Sequence, residues 1–167
     1  MDIVLFRHGI AVEPDEWKGG DDERPLTPKG AAKTRQAAVG LKALGIEPTH
    51  IWASPLVRAQ ETAKLLREAF KWKGDVRVCE ELRPEASPDS LLGLLSDLPG
   101  DVVVLCVGHE PHLSGAAGLM LCGKPVSGLA FKKAGAACIR YERTPKAGHG
   151  ALRWWMTPAQ LKLCRRA

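Results

Sequence analysis

Apolar positions in this chain of 167 residues fall into two textures. Short unbroken runs alternate with longer stretches in which apolar residues return every third or fourth place. Ile3-Val4-Leu5-Phe6 and Val102-Val103-Val104-Leu105-Cys106-Val107 are the clearest runs. Rich in β-branched residues and bounded by polar ones, they predict buried strands. Shorter runs at 50–53, 76–79, 136–141 and 151–155 predict four more. The periodic stretches predict helices over 28–44, through Ala31, Ala38, Leu41 and Leu44 with Gly45 as the stop; over 55–70, through Ala59, Ala63, Leu66 and Phe70; over 88–98, on Leu91, Leu92 and Leu95; and over 111–122 and 157–165. Four helix starts share one chemistry, a hydroxyl residue followed by proline: Thr27-Pro28, Ser54-Pro55, Ser87-Pro88 and Thr157-Pro158. The side-chain oxygen can accept a free backbone N–H, and proline has no amide to leave unpaired.

Strands alternating with helices predict the α/β class, a three-layer α/β/α sandwich around a mostly parallel sheet. The run at 102–107 is expected at its centre, buried on both faces. The late pair, joined by residues 143–150, supplies an antiparallel strand at an edge. No repeat or linker interrupts the pattern, so residues 1–167 read as one domain.

Composition narrows the function classes. No apolar run approaches the roughly 20 residues of a membrane helix, and no basic region followed by an apolar segment opens the chain, so a cytoplasmic protein is expected. The five cysteines, without a Cys-x-x-Cys pair, fit reduced, mostly buried thiols rather than a metal or disulfide framework. Cys106, inside an apolar run, reads as core. The net charge of +5 is uneven: residues 1–100 carry 14 basic and 16 acidic side chains (−2), residues 101–167 carry 10 and 3 (+7). A basic surface suits phosphorylated substrates, acidic proteins or nucleic acid, but no nucleic-acid motif accompanies it, and a solubilising surface is the preferred reading. The acidic stretch at 12–25, with Glu13, Asp15, Glu16, Asp21, Asp22 and Glu23, reads as a solvated connection, a lid or partner-reading surface being the alternative.

The chemistry lies at strand ends. The first strand ends in Arg7-His8-Gly9, the second in Ser54 with Arg58 just beyond, and the central one in Gly108-His109-Glu110. If these strands are parallel neighbours, two arginines and two histidines share one pocket at the carboxyl edge of the sheet, where α/β proteins bind ligands. Arginine forks match phosphate oxygens, and helix N-termini add free amides. One histidine, held neutral, is a nucleophile for phosphorus; the other is a donor. Gly9 would let the backbone turn close to the ligand, and Gly108 would leave room beside His109. No Walker-type glycine loop is present. His112 reads as a surface or helix-start residue, with contact to substrate the alternative; His50 and His149 read as structural or solvated, Ser54 as a cap, with donation to phosphate the alternative, and the five tryptophans as packing residues.

Leu5-Phe6-Arg7-His8-Gly9, Arg24-Pro25-Leu26-Thr27-Pro28-Lys29-Gly30, Ala53-Ser54-Pro55-Leu56-Val57-Arg58-Ala59-Gln60-Glu61-Thr62 and Val107-Gly108-His109 together resemble the histidine phosphatase superfamily, the phosphoglycerate-mutase-like fold, in order and spacing. The short length and the tail Trp154-Trp155-Met156-Thr157-Pro158-Ala159-Gln160-Leu161 resemble its SixA-type phosphohistidine phosphatases. The resemblance implies that His8 is phosphorylated and that Arg7, Arg58 and His109 bind the phosphoryl, with Gly9 beside them. It implies no cofactor and no metal. In mutase-like members a glutamate after the third strand protonates the leaving group. Glu81 is the closest match, with acceptance of loop amides as its structural alternative, and Glu110 is a rival by position. A protonated imidazole leaves phosphorus readily, so weak acid machinery favours a phosphohistidine substrate.

The expectation is a metal-independent, monomeric phosphatase acting on phosphohistidine in a protein. The alternatives are a small-molecule phosphomonoesterase of the same superfamily and a non-catalytic phosphate-binding module. Neither nucleic acid nor a membrane is an expected partner.

Overall fold

The computed structural model describes residues 1–126 and 128–164. Among the described residues six strands form one sheet: β1 (Asp2–Arg7), β2 (His50–Ala53), β3 (Arg77–Val78), β4 (Val103–Gly108), β5 (Ala136–Arg140) and β6 (Ala151–Met156). Their spatial order is β3-β2-β4-β1-β5-β6. β1, β2, β3 and β4 are parallel, with Phe6 opposite Val107 and Val107 opposite Ala53. β5 is antiparallel to both neighbours. The antiparallel strand therefore sits one place in from the edge, and β6, returning through the 143–150 connection, forms the edge itself.

Among the described residues five α-helices cover the two faces: α1 (Pro28–Ala43), α2 (Val57–Phe70), α3 (Pro88–Ser96), α4 (His112–Cys122) and α5 (Pro158–Cys164). Alternation along β1 divides the core. Val4 and Phe6 pack with Ala37, Ala38, Leu41, Ala59, Ala63, Leu66 and Leu161 from α1, α2 and α5. Ile3 and Leu5 point the other way, with Leu91, Leu95, Leu113, Ala116 and Met120 from α3 and α4. The expected three layers follow from this two-sided burial. Cys106 is fully buried in the middle of β4. Among the described residues no helix is long and apolar enough to cross a membrane.

Most predicted elements lie where the sequence places them, and the exceptions have causes. Thr27 and Ser87 cap α1 and α3, accepting from Gly30 N and Asp89 N, and Thr157 Oγ1 accepts from Gln160 N at 3.3 Å. Ser54 does not cap α2: that helix begins after an extended Leu56, because the Ser54 hydroxyl is engaged elsewhere. The third strand shrinks to two exposed residues at the sheet edge. Residue 165, the expected end of the closing helix, lies outside the described residues.

Candidate active site

Because β2, β4 and β1 are adjacent and parallel, their carboxyl ends open on one edge and bring Arg7, His8, Arg58 and His109 together. His8 is held by its backbone N–H on the Gly108 carbonyl at 3.0 Å. Its Nδ1 lies 2.7 Å from the Gly9 carbonyl oxygen. A carbonyl only accepts, so Nδ1 carries the proton, and in the neutral ring Nε2 keeps its lone pair. The ring is neutral at pH 7: burial pushes its pKa down to about 3, against the pull of the Gly9 carbonyl and with help from Arg58, Arg7 and Lys133.

The His109 ring centroid lies 4.8 Å from that of His8, tilted by 49°. His109 is buried, and burial, with His8, Arg58, His112 and Arg7 nearby, lowers its pKa to about 2. Its Nε2 lies 2.8 Å from Ser54 Oγ, while its Nδ1 is buried without a partner among the described residues.

The two arginines are fixed from behind. Arg7 Nη1 donates to the Phe131 carbonyl at 2.6 Å. Arg58 Nη1 donates to the Asp21 carbonyl at 2.8 Å, and its Nη2 pairs with Asp21 Oδ2 at 3.1 Å. Burial lowers both guanidinium pKa values, with Glu110 opposing this at Arg7 and Asp21 at Arg58, and both remain cations at neutral pH. Each Nε is buried without a partner. Arg7 Nε, Arg58 Nε and His109 Nδ1 are thus buried nitrogens without a partner among the described residues, on three side chains close enough to His8 to act on its ring.

Several readings change. The acidic stretch at 12–25 is tied down beside the site: Asp21 holds Arg58 and Arg24, Asp22 pairs with Arg83 at 3.0 Å, and Glu13 with Lys133 at 3.3 Å. Gly9 serves packing more than ligand approach, since a Cβ there would lie 2.5 Å from Thr34 Oγ1; its amide is already donated to Thr62 Oγ1 at 3.0 Å. Gly108 makes room for Leu113 of α4, 3.0 Å from where its Cβ would sit. His112 opens α4 but is buried, not at the surface. His50 bonds Thr49, and His149 is exposed over the Ala147 carbonyl, both as expected.

The two acid candidates separate. Glu110 is committed to the fold: Oε1 accepts from Phe131 N at 2.6 Å, and Oε2 accepts from Ser114 N at 3.3 Å and from the Ser114 hydroxyl. Glu81 lies in the 3-10 turn Glu80–Leu82 that packs against the end of β4. Half-exposed, it makes no hydrogen bond among the described residues, so the loop-amide alternative is not the arrangement found.

Sequence reasoning missed the residues that hold this constellation. Thr62 accepts from Gly9 N and donates to the Arg58 carbonyl at 2.7 Å. Glu61 accepts from Leu26 N at 2.6 Å. A signal was present: Arg58, Glu61 and Thr62 stand at i, i+3 and i+4 on one helix, so they share a face. The basic excess of residues 101–167 does not gather here. Arg140, Arg143, Lys146 and Arg153 line a cavity beside the β5–β6 connection. Since β5 runs against β1, that cavity lies at the opposite edge of the sheet.

Known proteins share this design. Residues 3–87 match the profile of the Histidine phosphatase superfamily (branch 1). An uncharacterized protein of Picosynechococcus sp. is 34% identical over 84% of this chain and 85% of its own. The phosphohistidine phosphatase SixA of Escherichia coli is 27% identical over 99% of both chains. The structure of the protein histidine phosphatase SixA complexed with tungstate superposes with a TM-score of 0.85 at 25% identity, over 96% of this chain and 99% of that one. The fold, the strand-end motifs and these matches agree: the chain belongs to the histidine phosphatase superfamily.

Proposed function

We propose that this protein hydrolyses phosphohistidine on a protein substrate through a covalent phosphohistidine at His8, without a metal or cofactor. The observation that carries the reading is the set of unmatched buried donors beside a neutral His8. Buried polar atoms ordinarily have partners, and three donors around one nucleophile suit the oxygens of a transferring phosphoryl group.

His8 Nε2 attacks phosphorus in line with the bond to the leaving group. A P–N bond forms on His8 as the substrate's P–N bond breaks, and the substrate imidazole departs with a proton. Arg7, Arg58 and His109 bind the phosphoryl oxygens throughout. Water then attacks phosphorus, inorganic phosphate leaves, and His8 is regenerated. Glu81 is the proposed proton donor, a demand that a phosphoramidate makes weakly and an alkyl phosphate strongly. Similarity to SixA over nearly the full length of both chains supports the choice of substrate class.

The test is to incubate wild type and His8→Ala with a phosphohistidine-bearing protein and with small phosphoesters, in chelator. Phosphate release by wild type, with an acid-labile phosphoryl trapped on it, and loss of both in His8→Ala are expected. Activity surviving His8→Ala would overturn the mechanism; preference for small esters would move the substrate to that class.

A further inference from the structure

We infer that Ser54 is a positioning residue for His109: its hydroxyl donates to Nε2 and thereby fixes the ring as the tautomer whose Nδ1–H faces the phosphoryl site. This rests on the reading of His109 as a phosphoryl ligand. Ser54 is fully buried, and its Oγ lies 2.8 Å from His109 Nε2.

The serine is itself immobilised. Its backbone N–H donates to the Val107 carbonyl at 3.0 Å, and its carbonyl accepts from Gln60 Nε2 at 2.5 Å. The end of β2 is therefore locked to the end of β4, two residues before His109. A hydroxyl has one proton to give and two lone pairs. The Leu56 N–H, 3.4 Å away, occupies one lone pair, and among the described residues the O–H has no acceptor other than His109 Nε2; donation to the ring is the arrangement that leaves this buried proton paired.

A neutral imidazole has one N–H and one acceptor. With Nε2 accepting from Ser54, the N–H is on Nδ1, the ring atom buried without a protein partner. The opposite tautomer would present a lone pair to an incoming phosphate oxygen and repel it. Burial keeps the ring neutral before substrate arrives, so its tautomer, not its charge, decides whether the pocket is ready. This also explains why Ser54 does not cap α2: the cap residue is Leu56, whose side chain bonds nothing there.

The experiment is nitrogen-15 NMR of imidazole-labelled protein at neutral pH, read on the resting enzyme so that the result is independent of its activity. Wild type should show His109 as the Nδ1–H tautomer, and Ser54→Ala a mixture of the two. Ser54→Ala should lower kcat about tenfold, the scale of one buried hydrogen bond, and weaken inorganic phosphate binding similarly, with Ser54→Thr restoring both to within about threefold. Wild-type His109 found with its proton on Nε2 would overturn the inference, even if every variant folded poorly. An Nδ1–H tautomer in a protein that releases no phosphate would leave the inference standing and remove the phosphatase reading.

Discussion

Arg7 and Glu110 hold the same residue from two sides. Arg7 Nη1 donates to the Phe131 carbonyl while Glu110 Oε1 accepts the Phe131 N–H. The Phe131 ring, buried, lies 4.1 Å from that of Trp155. Glu110 thus aims Arg7 through a loop residue, with both its carboxylate oxygens spent on Phe131 and Ser114.

That arrangement makes the two Glu110 substitutions diverge. Glu110→Gln keeps an acceptor for Phe131 N, and kcat should stay within about tenfold of wild type; an essential general acid would cost about a hundredfold or more. Glu110→Ala strands the Phe131 and Ser114 amides and should cost about 1–3 kcal/mol in a urea titration. A hundredfold fall in kcat for Glu110→Gln at unchanged stability would restore Glu110 as the acid.

Glu81 is tested by comparing substrates. Glu81→Gln should slow phosphohistidine hydrolysis by less than about fivefold and alkyl phosphate hydrolysis by about a hundredfold, because only the alkoxide needs a strong proton donor. Equal losses on both would remove Glu81 from that role.

Asp21 places a negative charge against Arg58, the arginine proposed to bind the phosphoryl group. Burial raises its carboxyl pKa, but the Arg24 and Arg58 guanidinium groups outweigh this and keep it ionised. In Asp21→Asn the bond from Arg58 to the residue's carbonyl survives and the charge is gone. Inorganic phosphate should then inhibit roughly threefold to tenfold more tightly, the scale of one unit charge near a protein surface. Weaker inhibition would mean that the carboxylate's hold on Arg58 outweighs its repulsion.

Stability should fall on mild acidification. His8, His109 and His112 are all pushed below the ordinary histidine value of 6.5 by burial. A group with a depressed folded pKa binds its proton more readily unfolded. Its stabilisation is whole above about 6.5 and drains away as pH falls toward the folded values. Between pH 7 and 5.5, above the range in which carboxylates titrate, the urea midpoint should drop. His112→Gln, which removes one of the three buried rings, should make that drop shallower. A midpoint independent of pH over this window would contradict the buried neutral rings.

The fold was legible where a run or a period had one meaning. Val102 to Val107 is apolar on both faces because β4 is covered on both, and the period in α1 and α2 reports a single buried side. The pocket was legible for a related reason: Arg7 ends β1, and His8 and His109 directly follow the ends of β1 and β4, so their convergence follows from parallel order alone. What holds them was not. Arg7 is fixed by a carbonyl 124 positions away, Arg58 by residue 21, and Gly9 N by Thr62, 53 positions on. A carbonyl partner carries no side-chain signature, and a contact of that span leaves no local period. Ser54 misled because serine before proline is a sound cap signal, and a buried histidine competed for the same hydroxyl.

β1 lies between β4 on one side and β5 on the other, so residue 2 is opposite both Val103 and Arg140. The strand that leads into His8 takes its two neighbours from residues 103–108 and 136–140, roughly 100 and at least 130 positions away along the chain. Loops this long are slow to close. His8 is therefore an ordinary histidine in the unfolded chain and a buried, neutral one only in the fold that pairs both flanking strands.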